Sequence, residues 1–258
     1  MIKGVLLDIG GVVYVGETAL PGAVEAVSRL KEAGLPVRCV TNTTRTPLAG
    51  IVARLQRLGL EIEADDVFTP ARAARTYLEA HRLTPHLLIH PALEADIAEL
   101  ADGAGRAVVV GDAGDGFSYQ AMNAAFRELM AGAALVALAA NRMFKDADGE
   151  LSIDCGAFVT ALEFATGRTA LVLGKPSPDF FSAAAASMDC SPGETVMVGD
   201  DAEADIAGAL AAGVGAALLV RSGKYIGGDE TRYEPLPSAV VDNLGAAADW
   251  ILDHAHSG

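Results

Sequence analysis

Asp8 closes the apolar run Gly4-Val5-Leu6-Leu7 and is followed at once by Ile9-Gly10-Gly11. Thr41 and Asn42 close a second apolar run, Lys175 follows a third, and Asp200 and Asp201 close a fourth, with Asp205 four residues further on. Brought to one spot, these side chains offer carboxylates, a hydroxyl, an amide and an ammonium. Carboxylates with water suit Mg²⁺, which keeps several waters and often adds a substrate phosphate. A hydroxyl, backbone N–H groups and a lysine suit the remaining phosphate oxygens. With a cation masking part of the charge, an Asp can attack phosphorus and form an aspartyl-phosphate. Taken singly, each residue has a plainer use. Asp8 or Thr41-Asn42 can close a strand-end turn, Lys175 can sit in solvent, and Asp200 can cap a helix. Asp201 and Asp205, one helical turn apart, can form a solvated acidic face. Their common order and spacing favour the shared site.

Positioning them takes strands of one parallel sheet, because ligands of open α/β sheets sit outside the carboxyl ends of the strands. The chain alternates apolar runs with helical patterns, as such a sheet requires. The strand at Asp8 leads through Tyr14 into a short polar loop. A helix with Pro21 at its first position runs to about Ala33, closed by Gly34. Strand 37–40 and a helix opened by Thr46-Pro47 and closed by Gly59 follow. From Thr69-Pro70 the pattern restarts. It gives helix 71–81, strand 87–90, helix 93–100, strand 107–110, helix 119–130, strand 134–139, a turn at Asp146-Ala147-Asp148-Gly149 and helix 156–166. The first pattern then resumes with strand 169–173, a helix to about Met188, strand 195–198, a helix closed by Gly213, strand 216–220, a strand at Val240-Val241 and a last helix through Trp250. The loop Arg221-Ser222-Gly223-Lys224-Tyr225 reads as solvated.

With 258 residues, 51% of them hydrophobic, the chain can bury one large or two modest cores. A formal net charge of −15 without a basic cluster excludes a nucleic-acid or anionic-membrane partner. It leaves phosphate chemistry open, since a bound divalent cation supplies positive charge locally. Cys39, Cys155 and Cys190 lack metal-ligand spacing and a disulfide framework, and read as small buried thiols of a reducing compartment. No stretch is long and apolar enough to span a membrane. The N-terminus lacks a signal-peptide pattern, so a cytoplasmic location is expected.

The four stretches Val5 to Val12, Val40-Thr41-Asn42, Gly174-Lys175-Pro176 and Val198-Gly199-Asp200-Asp201 with Asp205 resemble the four motifs of the haloacid dehalogenase-like hydrolases. The long insert between the second and third motifs resembles the α/β cap of the subgroup that includes the N-acetylglucosamine-phosphate phosphatase. Phe117 to Asn123, Gly174 to Phe180 and Arg221 to Lys224 are similar to the phospholysine phosphohistidine inorganic pyrophosphate phosphatases. The resemblance implies Asp8 as nucleophile and Mg²⁺ ligand, with the Gly10 carbonyl and Asp200 as further ligands. It implies Thr41 and Asn42 as phosphoryl-binding residues and Lys175 as the group that neutralises the phosphoryl and orients Asp8. Asp201 or Asp205 would act through water or by holding the ligands. Homodimers formed through such caps make a homodimer an expectation here.

One departure is chemical. Most phosphatases of the superfamily carry a second Asp two residues after the nucleophile as general acid, where this chain has Gly10 and the similar group has Ser. A carbonyl there can still meet the metal, but nothing can donate a proton. General acid catalysis contributes about 10²–10⁴-fold, so an alkoxide leaving group would suffer most. Imidazole, with a reference pKa of about 6.5, and phosphate need less help, and an amine can leave already protonated.

The expected fold is α/β, a Rossmann-like parallel-sheet core of residues 1–72 and 171–258 with an inserted α/β cap of residues 73–170. The expected function is a Mg²⁺-dependent phosphohydrolase favouring P–N bonds or pyrophosphate, acting on a phosphorylated small molecule or phosphoamino acid. Two other readings stand beside it. A cap side chain (His90, Asp146 or Asp154) could replace the acid and make a general phosphomonoesterase. Alternatively the chain binds phosphate as a regulator without turnover. Residues 141–144 and 154–158 are candidates for leaving-group contact within the cap.

Overall fold

The computed structural model describes residues 1–97, 100, 103–145 and 150–255. The chain forms two compact units, Met1–Thr41 with Ala49–Phe68 and Lys175–Gly258, and Asn42–Leu48 with Thr69–Gly174.

The first unit is built on a six-stranded parallel sheet in the order Ala239–Val241, Ala216–Val220, Thr195–Gly199, Gly4–Asp8, Val37–Val40, Val67–Phe68. Its central strands are apolar without alternation because both faces are buried; every residue of Gly4–Asp8, Thr195–Gly199 and Ala216–Val220 is buried. Register decides which residues meet at the carboxyl edge. Asp8 pairs with Val40, so Thr41 is the next residue of its strand, and Leu7 pairs with Val198, so Gly199 and Asp200 lead off beside Asp8.

The second unit carries its own four-stranded parallel sheet, in the order Leu171–Val172, Ala134–Ala137, Gly105–Val110, Leu83–Leu88. Side chains alternate across it, as the period of two demands. Ala107, Val109 and Val136 pack with Ala71, Ala74 and Leu78 of the helix Pro70–His81. Val108, Val110, Leu135 and Ala137 pack with Ala125 and Leu129 of the helix Tyr119–Met130 and with Val159 and Leu162 of the helix Cys155–Thr166. The protein is thus a mixed α/β molecule with two parallel sheets.

Several elements differ from the sequence expectation. The polar loop after Tyr14 is a tight hairpin, Tyr14–Val15 against Thr18–Ala19, turned at Gly16 with φ 59°. Gly22, at φ 75°, delays the first helix to Ala23–Glu32. The short strand Val67–Phe68 at the sheet edge carries too few residues to show a period. The strand expected at 87–90 begins at Leu83, directly after Arg82 in the left-handed region. The expected turn at residues 146–149 lies outside the described residues; its flanks, Met143–Lys145 and Leu151–Ile153, pair as an antiparallel hairpin. Cys39, Cys155 and Cys190 are buried free thiols, and burial pushes Cys39 up to about 12. Among the described residues no helix is long and apolar enough to cross a membrane.

Candidate active site

Asp8 ends its strand buried at the carboxyl edge of the first sheet. Lys175, which the chain brings back 167 residues later, hydrogen-bonds Asp8 Oδ1, donates to the Val40 carbonyl at 3.4 Å and lies 2.7 Å from Asp205 Oδ1. At 3% exposure it is far from a solvated surface lysine. Asp8, Asp200 and Asp205 are all buried and place carboxylate oxygens within 4.8 Å of one another. Thr41 sits at the end of the adjacent strand, its N–H donating to the Phe68 carbonyl at 3.1 Å. Asn42, the next residue, groups with the second unit.

Asp201 and Asp205, equivalent in the sequence, have separate tasks. Asp201 caps the helix that follows, accepting from the Glu203 and Ala204 N–H groups at 3.1 and 3.0 Å, and meets Lys224 Nζ at 3.3 Å. Asp205 turns inward. Asp201 is the N-cap of the π-helical segment Ala202–Ala207, with extended backbone outside the helix, so its carboxylate does not stack on that of Asp205 inside it. The plainer alternative of a solvated acidic face does not fit, since Asp205 is buried.

The loop at residues 221–225 is both solvated and part of the site. Arg221, Gly223 and Lys224 are exposed, as a solvated loop requires, and the loop's backbone also clamps Asp200. The Lys224 N–H donates to Asp200 Oδ2 at 2.7 Å, and Ser222 Oγ donates to the Gly11 carbonyl at 2.6 Å. Gly11 and Gly223 have φ of 82° and 62°, and a Cβ on either would run into the Asp200 carboxylate and the other glycine's Cα. Two loops far apart in sequence thus meet backbone to backbone over one carboxylate. The available signal was Ser222-Gly223-Lys224 just after a buried strand, the position that Thr41 and Asp200 also occupy.

The electrostatics are those of an unfinished charge balance. Burial, reinforced by Asp200, raises the Asp8 carboxyl above its ordinary value against the pull of Lys175. Burial pushes Asp200 and Asp205 up to about 6, reinforced at Asp200 by Asp205 and at Asp205 by Asp8 and Asp201, against the pull of Lys175. Lys175 is held above its ordinary value, because Asp205 and Asp8 outweigh the burial that would lower it. Three carboxylates surround one buried ammonium. Asp205 Oδ1 is buried and, beyond the ion pair with Lys175, accepts no hydrogen bond of good geometry from the described residues. A surplus of hard oxygen donors around a net negative charge fits a divalent cation.

A family model of haloacid dehalogenase-like hydrolases matches residues 5–113, and a second, HAD-hydrolase-like, matches residues 172–247. The chain belongs to the haloacid dehalogenase-like hydrolases. Human phospholysine phosphohistidine inorganic pyrophosphate phosphatase is 42% identical over 260 residues, covering 98% of this chain and 96% of that protein. Among solved structures, NagD from Escherichia coli K-12 is similar with a TM-score of 0.83 and 26% identity over 95% of this chain and 97% of that one. Glycerol phosphate phosphatase from Mycobacterium tuberculosis, in complex with magnesium, is similar with a TM-score of 0.81 and 28% identity over 95% of this chain and 76% of that one. Hydrolases of this family use a divalent metal, and Asp8, Asp200 and Asp205 form a buried acidic group that could hold one.

The suggested replacement acids fare differently. Asp154 is buried and spends an oxygen on the Cys155 N–H at 2.6 Å, a helix-capping task. His90 accepts from the Ala92 N–H at 3.2 Å through Nδ1. Asp146 lies outside the described residues. Of the other candidates for leaving-group contact, Phe158 stacks on Phe117 with ring centroids 3.7 Å apart, and Phe144 lies under the Arg45 guanidinium.

The glycine clamp carries a prediction. Gly223→Ala should lower divalent-cation affinity by about tenfold or more, the equivalent of strain of roughly 1–3 kcal/mol, and lower Tm. Gly227→Ala, in open space in the same loop region, should do neither. Calorimetric titration with Mg²⁺ and a thermal melt measure both. Indistinguishable variants would mean that the clamp does not position Asp200.

Proposed function

We propose that the chain is a Mg²⁺-dependent phosphatase that works through an aspartyl-phosphate on Asp8 and favours P–N and P–O–P bonds over alkyl phosphate esters. The observation that carries this reading is the pairing of an intact buried Asp8–Lys175–Asp205–Asp200 cluster with a glycine two residues after Asp8.

Asp8 attacks phosphorus and the bond to the leaving group breaks. Lys175 binds Oδ1 of Asp8, so it orients the carboxylate and offsets charge on the transferring group. Thr41, and Asn42 by the family pattern, donate to phosphoryl oxygens. Asp8, Asp200 and the Gly10 carbonyl would hold Mg²⁺, with Asp205 at its edge, paired to Lys175. Bound there, Mg²⁺ would act as a Lewis acid that neutralises phosphoryl charge. Asp201 keeps the helix start in place, and the clamp of Ser222, Gly223 and Lys224 keeps Asp200 in place.

Position 10 supplies no proton. The leaving groups served best are those that depart with little protonation, such as imidazole and phosphate, or already protonated, such as an amine. The printed name of the 42%-identical human relative cites phospholysine, phosphohistidine and inorganic pyrophosphate, and supports this assignment.

Phosphate release with Mg²⁺ on imidodiphosphate, pyrophosphate, phosphohistidine, phospholysine and a set of sugar phosphates tests the reading. Expected is a kcat/KM at least about 10²-fold higher on the first four, the low end of what a general acid contributes. Equal or higher kcat/KM on a sugar phosphate would overturn the leaving-group preference. Phosphate binding with no release from any substrate would overturn catalysis.

A further inference from the structure

Lys224 meets the site in two ways. Its N–H donates to Asp200 Oδ2 at 2.7 Å, so its backbone stands at the edge of the acidic group whatever the side chain does. Its ammonium lies 3.3 Å from Asp201 Oδ2, its partner among the described residues, and the side chain is 69% exposed. Asp201 has committed its other oxygen to the Glu203 and Ala204 N–H groups, so the carboxylate is fixed and the ammonium is tethered beside it. The charge also reaches the buried carboxylates. Burial raises the Asp8 and Asp200 carboxyls, and Lys224 pulls both down together with Lys175. Lys175 is buried between Asp8 and Asp205. Lys224, by contrast, is a cation that ions arriving from solvent meet directly.

The substrates of a phosphatase are anions, and the rest of the chain repels them. Its formal net charge is −15, and Asp8, Asp200 and Asp205 put three carboxylates where a phosphoryl group must arrive. Charge distributions of this kind steer ions toward a site or away from it. One ammonium held beside the carboxylates does two opposite things. It repels a divalent cation, and it attracts a phosphorylated anion; the same Coulomb interaction gives both signs. We propose that Lys224 is a substrate-recruiting residue, whose ammonium draws phosphate groups to the site at the expense of cation affinity. The inference rests on the phosphatase reading and gives a task to a side chain that the reading uses only through its backbone.

Lys224→Met tests it, because the N–H clamp on Asp200 survives the change and only the charge goes. Calorimetric titration of the full chain with Mg²⁺, and with inorganic phosphate at a fixed Mg²⁺ concentration, involves no turnover. Below about 0.1 M ionic strength, where the Debye length exceeds about 10 Å, the variant should bind Mg²⁺ about threefold more tightly and phosphate about threefold more weakly than the parent. At about 1 M, where the Debye length is about 3 Å, the two proteins should bind alike. Lys224→Arg keeps the charge and should match the parent throughout. Weaker binding of both ions by Lys224→Met would mark a structural loss and overturn the inference. So would unchanged affinities at low salt, opposite shifts that persist at high salt, or a Lys224→Arg variant that behaves like Lys224→Met. A parent that binds neither ion would overturn the phosphatase reading and the inference with it, an outcome distinct from any of those of the variants.

Discussion

Asp8→Asn should reduce phosphate release from every substrate by about 10⁴-fold or more, the scale on which loss of a nucleophile acts. The substitution keeps size and shape, and the Asn oxygen can still accept from Lys175. It removes the negative charge that makes the carboxylate oxygen a nucleophile. Stability should not suffer with it. The Asp8 carboxyl is raised above its ordinary value, chiefly by burial and further by Asp200, so its ionised form is a cost to the metal-free fold and its neutral isostere relieves that cost. The metal-free variant should therefore melt within a few degrees of the parent or above it. Affinity for Mg²⁺ should fall, since one of three buried carboxylates is gone. Phosphate release, a melting curve and a metal titration on the same preparation separate these effects. More than about 1% residual turnover, against the loss expected for a nucleophile, would move the nucleophile elsewhere.

Gly10→Asp should gain a function. An ideal Cβ on Gly10 meets nothing within 4 Å, and the backbone there is outside the left-handed region, so an L side chain is accommodated without strain. A carboxylic acid at this position would lie two residues from Asp8, where most phosphatases of the superfamily keep their general acid. The expected result is a rise of about 10–10²-fold in kcat/KM on sugar phosphates, part of the 10²–10⁴-fold that a positioned acid contributes. Imidodiphosphate and phosphohistidine should change little, because their leaving groups do not wait for that proton. Gly10→Asn is the control, matched in size and unable to donate. A Gly10→Asp variant that folds, binds Mg²⁺ and shows no gain on any ester would mean that leaving-group protonation does not limit this enzyme.

Both predictions rest on residues that were legible in the chain without coordinates. Asp8, Thr41, Lys175 and Asp200 each follow a short apolar run, and strand ends of a parallel sheet face one edge, so their convergence follows from pattern and topology. The absence of an acid at Gly10 is likewise a statement about one letter. Caps were legible too: Gly34 and Gly59, both at positive φ, follow the helices Ala23–Glu32 and Leu48–Arg57. Both signals act within one helical turn.

What depended on contacts between distant residues was not legible. The loop at residues 221–225 is polar and glycine-containing, the composition of a solvated turn, and only the meeting of Gly11 with Gly223 shows that it closes on Asp200. The separate tasks of Asp201 and Asp205 depend on where the helix starts and on Lys175, 30 residues earlier in the chain, which meets Asp205 and not Asp201. Asn42–Leu48 groups with the second unit, which no periodicity records.

By itself, then, the sequence determined the chemistry on offer: which carboxylates, which ammonium, the missing acid, and the order of strands and helices that brings them to one edge. Only the tertiary structure decided the charge state and partners of those groups. Burial and proximity put Asp200 and Asp205 at about 6 and tie Lys175 between two carboxylates. The physical reason is range. Strand period, caps and turn chemistry act over a few residues of chain, whereas desolvation and Coulomb interactions depend on distances in space between residues as far apart as Asp8 and Lys175.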